Sequence, residues 1–192
     1  MSGLRNNIIL TLYRSGKTVF RLNEIALLTD QNDFVSLNQR VHYLVKKGEL
    51  SNLRKGIYAL NKYSKEELAS KIYTPSYLST DYVLQKAGVI FQYDSSLTSV
   101  SYLSRTTEVD GSVFRFRKIK NEILVNSSGI NINDKGVSIA TPERAFLDYI
   151  YLNGDCYIDN PSILDKNKID QILSAFNSPS LDKKAVKILQ DV

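Results

Sequence analysis

The chain of 192 residues has one cysteine, one histidine, one methionine, no tryptophan and four prolines. A lone Cys156 has no partner for an internal disulfide and fits a reducing compartment. With His42 the only histidine, no Ser-His-Asp or Cys-His set can be assembled away from the segment that holds it. Cys156 itself reads as a small half-buried residue, not as a nucleophile. No His/Cys cluster has metal-ligand spacing, and neither a P-loop nor a G-x-G-x-x-G is present, so neither metal nor cofactor is expected. The longest apolar runs are four or five residues, far short of a membrane span. The opening MSGLRNN leads into an amphipathic helix and not into a signal-peptide core, so the expected location is cytoplasmic, with no membrane partner. Repeats and low-complexity tracts are missing as well. What remains is a chain with 43% hydrophobic residues, enough for real cores and for two small domains.

The most informative segment is residues 36–60, SLNQRVHYLVKKGELSNLRKGIYAL. Leu37, Val41, Leu44 and Val45 follow i, i+4, i+7 and i+8, one apolar stripe of a 3.6-residue period. Ser36 and Gln39 fit an S-x-x-Q capping box at the start, and Gly48 ends the helix behind two lysines. Opposite the stripe lie Gln39, His42, Tyr43 and Lys46, flanked by Arg40 and Lys47, with no acid among them. Leu50, Leu53, Ile57 and Tyr58 then suggest two short strands joined across Arg54-Lys55-Gly56. A polar, basic helix beside a basic hairpin is the pattern of a winged helix-turn-helix, one element for the major groove and one for nearby phosphate. The candidate DNA contacts are therefore Ser36, Asn38, Gln39, Arg40, His42, Tyr43, Lys46, Lys47, Arg54 and Lys55.

The preceding residues complete the module. Leu4, Ile8, Ile9, Leu12 and Tyr13 form a first amphipathic helix, stopped at Ser15-Gly16, and residues 18–21 suit a small strand. Asn23 caps a short second helix, 24–28, with Ile25 and Leu28 inward, and residues 29–35 turn into the third. Charge separates this module from the rest. Residues 1–63 hold ten Lys and Arg against four acids, while residues 64–192 hold fifteen against sixteen. All of the positive excess sits in the first module, which argues for a polyanionic partner.

Beyond a polar junction at residues 61–64, Ser64 caps a helix to Lys71, and Ser79 or Thr80 caps another that Gly88 closes. Residues 89–93, 98–103, 112–118, 122–125 and 137–140 read as strands of a small, mostly antiparallel sheet. Thr141-Pro142-Glu143 opens a helix with a cap, a first-turn proline and an acid near the dipole. Two helices near residues 166–176 and 181–189 finish the chain. The expected fold is α+β: a winged helix-turn-helix domain at 1–63, then a mixed domain at 64–192.

This order of motifs resembles the AbiEi family of bacterial type IV antitoxins, transcriptional regulators of abortive-infection, antiviral defence systems. The resemblance rests on Leu44-Val45-Lys46-Lys47-Gly48, on Leu53-Arg54-Lys55-Gly56-Ile57-Tyr58, and on Tyr77-Leu78-Ser79 with Ala87-Gly88. It rests equally on Thr141-Pro142-Glu143-Arg144-Ala145-Phe146-Leu147-Asp148. It implies a repressor that binds double-stranded DNA at its own promoter, with inverted repeats and a homodimer as the expected arrangement. It also implies a C-terminal antitoxin domain, marked by Thr141, Pro142, Glu143, Arg144 and Asp148, that counters a nucleotidyltransferase toxin without requiring a stable complex. The spaced aspartates such a toxin needs are missing, so the chain reads as the regulator and not as an enzyme. Arg144 and Asp148 read as an i,i+4 pair instead of an acid-base couple. Two alternatives stay open: a winged-helix regulator without a toxin partner, and an RNA- or protein-binding module. Tyr73, Tyr77 and Tyr82 cluster around one helix start and could stack RNA bases. The near-neutral charge of that domain argues against this and for core and interface packing.

Overall fold

The computed structural model describes residues 7–92, 94–154 and 157–190. It is an α+β chain of two compact units, Met1–Ile72 and Tyr73–Val192.

In the first unit α1 (Ile8–Arg14) opens on Asn7, whose side chain accepts the Leu10 N–H at 3.2 Å, and it buries Ile8 and Leu12. Leu4, expected on this helix, lies outside the described residues. After β1 (Val19–Arg21) the chain enters α2 (Leu22–Thr29), earlier than the Asn23 cap suggests. The Arg21 N–H donates to the Glu24 carboxylate at 2.8 Å and closes that end. The inward arc is Leu22, Ile25 and Ala26, an i, i+3, i+4 set, and Leu28 falls outside it, 40% exposed and not inward. Asp30 then takes a left-handed φ of 53° and ends the helix.

The third helix, α3 (Phe34–Lys46), also begins earlier than its sequence signature. Asp33 is its cap, accepting from Val35 N at 3.0 Å and Ser36 N at 3.1 Å. The capping box of Ser36 and Gln39 is thereby overturned, because a better carboxylate acceptor stands three residues upstream. Leu37 and Val41 are fully buried, and Leu44 and Val45 pack against the same core. β2 (Ser51–Arg54) and β3 (Ile57–Ala59) form the hairpin, with Leu53 left over as the register shifts between Asn52 and Arg54. Gly56 turns it with a φ of 76°, a conformation glycine adopts without strain. The sheet order is β1-β3-β2, antiparallel throughout.

The unit extends past residue 63 because α4 (Lys65–Ile72) is bonded into it. Glu67, 1% exposed, accepts from Thr18 N at 2.7 Å, Thr18 Oγ1 at 2.9 Å and Val19 N at 3.1 Å. Arg21 donates to the Lys71 carbonyl at 2.6 Å, and the Lys71 ammonium pairs with Glu24. Burial alone would raise the Glu24 pKa, but the Lys71 and Arg21 N–H donors outweigh it and hold the carboxyl below its ordinary value. A carboxylate with a depressed folded-state pKa stabilises above its unfolded pKa, and that contribution disappears as pH falls through the folded value. Glu24→Gln should therefore lower stability at neutral pH and flatten its decline on acidification, read from urea midpoints at pH 7 and below 4.

The second unit carries β4 (Ser76–Leu78), α5 (Thr80–Lys86), β5 (Leu97–Ser101), β6 (Arg105–Val109), β7 (Ser112–Lys118), α6 (Asn121–Val125), β8 (Ile130–Ile132) and β9 (Ser138–Ala140). α7 (Pro142–Asn153), α8 (Lys166–Leu173) and α9 (Pro179–Gln190) follow. The sheet has six strands in the order β6-β7-β5-β4-β9-β8. It is larger than expected and mixed: β5 runs parallel to β7 and β4 to β9, while the other three pairings are antiparallel. Residues 122–125 are helical, since an apolar run this short does not reveal its period. Residues 89–92 form no strand. The Val89 carbonyl instead accepts from Asp159 N and Asn160 N at 3.1 and 3.0 Å, which takes it out of any ladder. α7 packs on α5, α8 and α9, over a core that includes Leu78, Leu84, Phe146 and Leu147. No helix among the described residues is long and apolar enough to cross a membrane.

Candidate functional site

The exposed face of α3 is built by the same period that buries Leu37 and Val41. Val35, Gln39, His42, Tyr43 and Lys46 follow i, i+4, i+7, i+8 and i+11 and line one side of the helix. Val35 is 72% exposed and Tyr43 58%, and Gln39, His42 and Lys46 are exposed as well. Because Asp33 does the capping, the Gln39 amide is not tied to the backbone. The side chains of Gln39, His42, Lys46 and Lys55 bond to no other described residue. Ser36, Asn38 and Arg40 are half-buried on the flanks. Lys47, just past the helix, sits 4.9 Å from the Tyr43 ring centre and 4.0 Å from Glu49. Its hydrogen bond with Tyr43, and then Glu49, push the ammonium pKa above the ordinary lysine value.

The hairpin does not hold out both of its turn cations. Lys55 is exposed, whereas Arg54 is half-buried, with Nη1 enclosed by protein. The Asp33 carboxylate occupies two N–H groups at the start of α3, so an anion at this surface would be held by side chains and not by the helix end. Residues 1–72 hold twelve Lys and Arg against six acids, and residues 73–192 thirteen against fourteen. The surface therefore offers hydrogen-bonding side chains in one row with ammonium groups at its end and beside it.

The motif of the second unit lies inside the protein. Thr141 caps α7, accepting Arg144 N at 3.3 Å, and Pro142 occupies the first turn. Glu143 is 4% exposed, and Arg144 and Asp148 are fully buried. Every N–H of the Arg144 guanidinium is used. Nε donates to Asp148 Oδ1 at 3.2 Å. Nη1 donates to the carbonyls of Asn126 and Ser128 at 3.3 and 2.8 Å. Nη2 donates to Tyr77 Oη and the Ile123 carbonyl, both at 2.8 Å. Asp148 also accepts from Tyr77 Oη at 3.2 Å and Ser79 Oγ at 2.7 Å. Ser79 flanks α5 without capping it, because its hydroxyl is committed to Asp148. Burial pushes the Tyr77 phenol well up, helped by Asp148 and opposed by Arg144. Burial likewise pushes the Asp148 carboxyl up, against Arg144, Ser79 and Tyr77.

This network ties α7 to β4, α6 and the loop at 126–128. Gly129 sits against it, and a Cβ there would meet Ile172 Cδ1 at 2.7 Å and Arg144 Cβ at 2.8 Å. Tyr77 on β4 and Ser79, in extended backbone one residue past its end, are two apart and face the same side; that spacing is the signal that could have paired them with Asp148. Val35 was missed in the same way, since the stripe through Gln39 and His42 extends back one turn to reach it. Tyr73 meets Phe116 edge-on at 4.8 Å and Tyr82 lies half-buried under Lys86, so the tyrosine cluster is packing and not an open platform. Cys156 lies outside the described residues.

No protein-family model and no curated protein matches the chain. Its fold is similar to that in a crystal structure of the RV2827C protein from Mycobacterium tuberculosis. The TM-score is 0.53 and the identity 15%, over 95% of this chain and 75% of that one. At that identity the likeness concerns the fold alone.

Proposed function

We propose that the chain is a DNA-binding transcriptional repressor that autoregulates its operon through the first unit. The observation that carries this reading is the exposed, acid-free face of α3 beside a basic hairpin, in the unit that holds all of the chain's positive excess. The order helix, strand, helix, helix, strand, strand, with β1 completing the sheet, supports a winged helix-turn-helix. Gln39, His42 and Tyr43 then take base edges, and Lys46, Lys47 and Lys55 take phosphates. Gln39→Ala should cost about 1–3 kcal/mol on the specific site and little on random duplex, measured by titration. Equal losses on both would remove Gln39 from base readout.

For the second unit we propose the antitoxin role that the resemblance implies, toward a nucleotidyltransferase toxin in a type IV abortive-infection system. The test is co-expression of the full-length chain with a neighbouring nucleotidyltransferase, scored by growth. Rescue is expected, and failure to rescue would leave a regulator without a toxin partner. One observation favours that second reading: Arg144 and Asp148 are enclosed, so the motif presents neither side chain to a partner.

A further inference from the structure

We infer that Val35 reads a thymine methyl group in the major groove, within about two base-pair steps of the base that Gln39 contacts; this rests on the DNA-binding reading above. Val35 is 72% exposed on a stripe that is otherwise polar or cationic. Packing does not explain it, because the buried side of the same helix is filled by Leu37 and Val41. A β-branched side chain in the first turn is also stiff, and here its backbone N–H is fixed on Asp33 Oδ1 at 3.0 Å. The isopropyl group is thus restricted in rotamer and stands mostly open to water.

Its position supplies the partner's chemistry. The N-terminal residues of a recognition helix are the ones that reach base edges. Among the groups displayed on the major-groove floor, the C5-methyl of thymine is the apolar one that an aliphatic side chain complements. Gln39 lies one turn further on, about 6 Å along the helix axis at 1.5 Å per residue, and a glutamine amide pairs with adenine in bidentate fashion. Together the two side chains specify an adenine and a nearby thymine. Phe34 is also half exposed, at 50%, but it is turned about 140° from Gln39 at 100° per residue. It lines a cleft with Asn23, Ala26 and Leu27 instead.

The experiment takes the full-length chain and a duplex selected by it from a random library. Each thymine of that duplex is replaced in turn by deoxyuridine, which removes only the methyl. At one position affinity should fall about fourfold, the equivalent of ~0.8 kcal/mol for one buried methyl. Val35→Ser should bind the selected duplex about fourfold more weakly, ignore that replacement, and bind random duplex as the parent does. Insensitivity to deoxyuridine at every position would overturn the inference while leaving DNA binding in place. So would a Val35→Ser variant that keeps the parent's sensitivity. Selection that enriches no duplex at all would overturn the DNA-binding reading, and this inference with it.

Discussion

Arg144→Ala should cost the second unit about 3–5 kcal/mol of stability, the range for removing one partner of a buried ion pair. The variant leaves Asp148 charged or forces it to take up a proton, in either case away from water. It also strips donors from the carbonyls of Ile123, Asn126 and Ser128 and from Tyr77 Oη. Each buried acceptor left unpaired costs about 1–3 kcal/mol, so the loss exceeds that of a surface i,i+4 pair several-fold. Arg144→Lys should be nearly as damaging despite keeping the charge, because an ammonium has three donors and no planar fork. Denaturant unfolding of the two variants checks both statements. A loss under about 1 kcal/mol for Arg144→Ala would mean that the network contributes little.

The burial of Arg144 shows where sequence reading stops. Its i,i+4 relation to Asp148 is local and visible, and so is the Thr141-Pro142 helix opening. The partner that makes the pair a clamp, Tyr77, lies 67 residues away, and nothing in the period of α7 announces it. The first unit was more legible because its elements are helices with clear stripes: Leu37, Val41, Leu44 and Val45 place α3 unaided. The start of α3 was not, since Asp33 and Ser36 are both good caps and only the backbone path chooses between them. Likewise α4 looked like the beginning of a second domain, because the polar junction is visible and the bonds from Glu67 to Thr18 and Val19 are not. In the sheet, β6 was hidden by its composition. An edge strand reading Arg-Thr-Thr-Glu-Val needs to bury only one residue, Val109.

The electrostatic part of DNA binding should rest on three lysines. Lys46, Lys47 and Lys55 are all exposed, on the polar face of α3, just past its end and at the hairpin turn. If each neutralises one phosphate, replacing all three by Ala should flatten the slope of log K against log salt by about 2.7, at roughly 0.9 per phosphate on duplex DNA. Over a fourfold rise in salt the parent would then lose about fortyfold more affinity than the variant. Lys47 must leave Glu49 to reach a phosphate, a small obstacle for an exposed pair. Arg54 is half-buried, with Nη1 enclosed by protein, and is left out of this set. An unchanged slope in the triple variant would place the DNA elsewhere.

The most direct measurement is a pair of titrations of the full-length chain at near-physiological salt. One uses the duplex upstream of its own gene, the other a scrambled duplex of the same length and composition. A preference of about a thousandfold or more for the upstream duplex is expected, as for specific protein–DNA recognition. Equal affinity for both duplexes, or none for either, would contradict a sequence-reading role for α3.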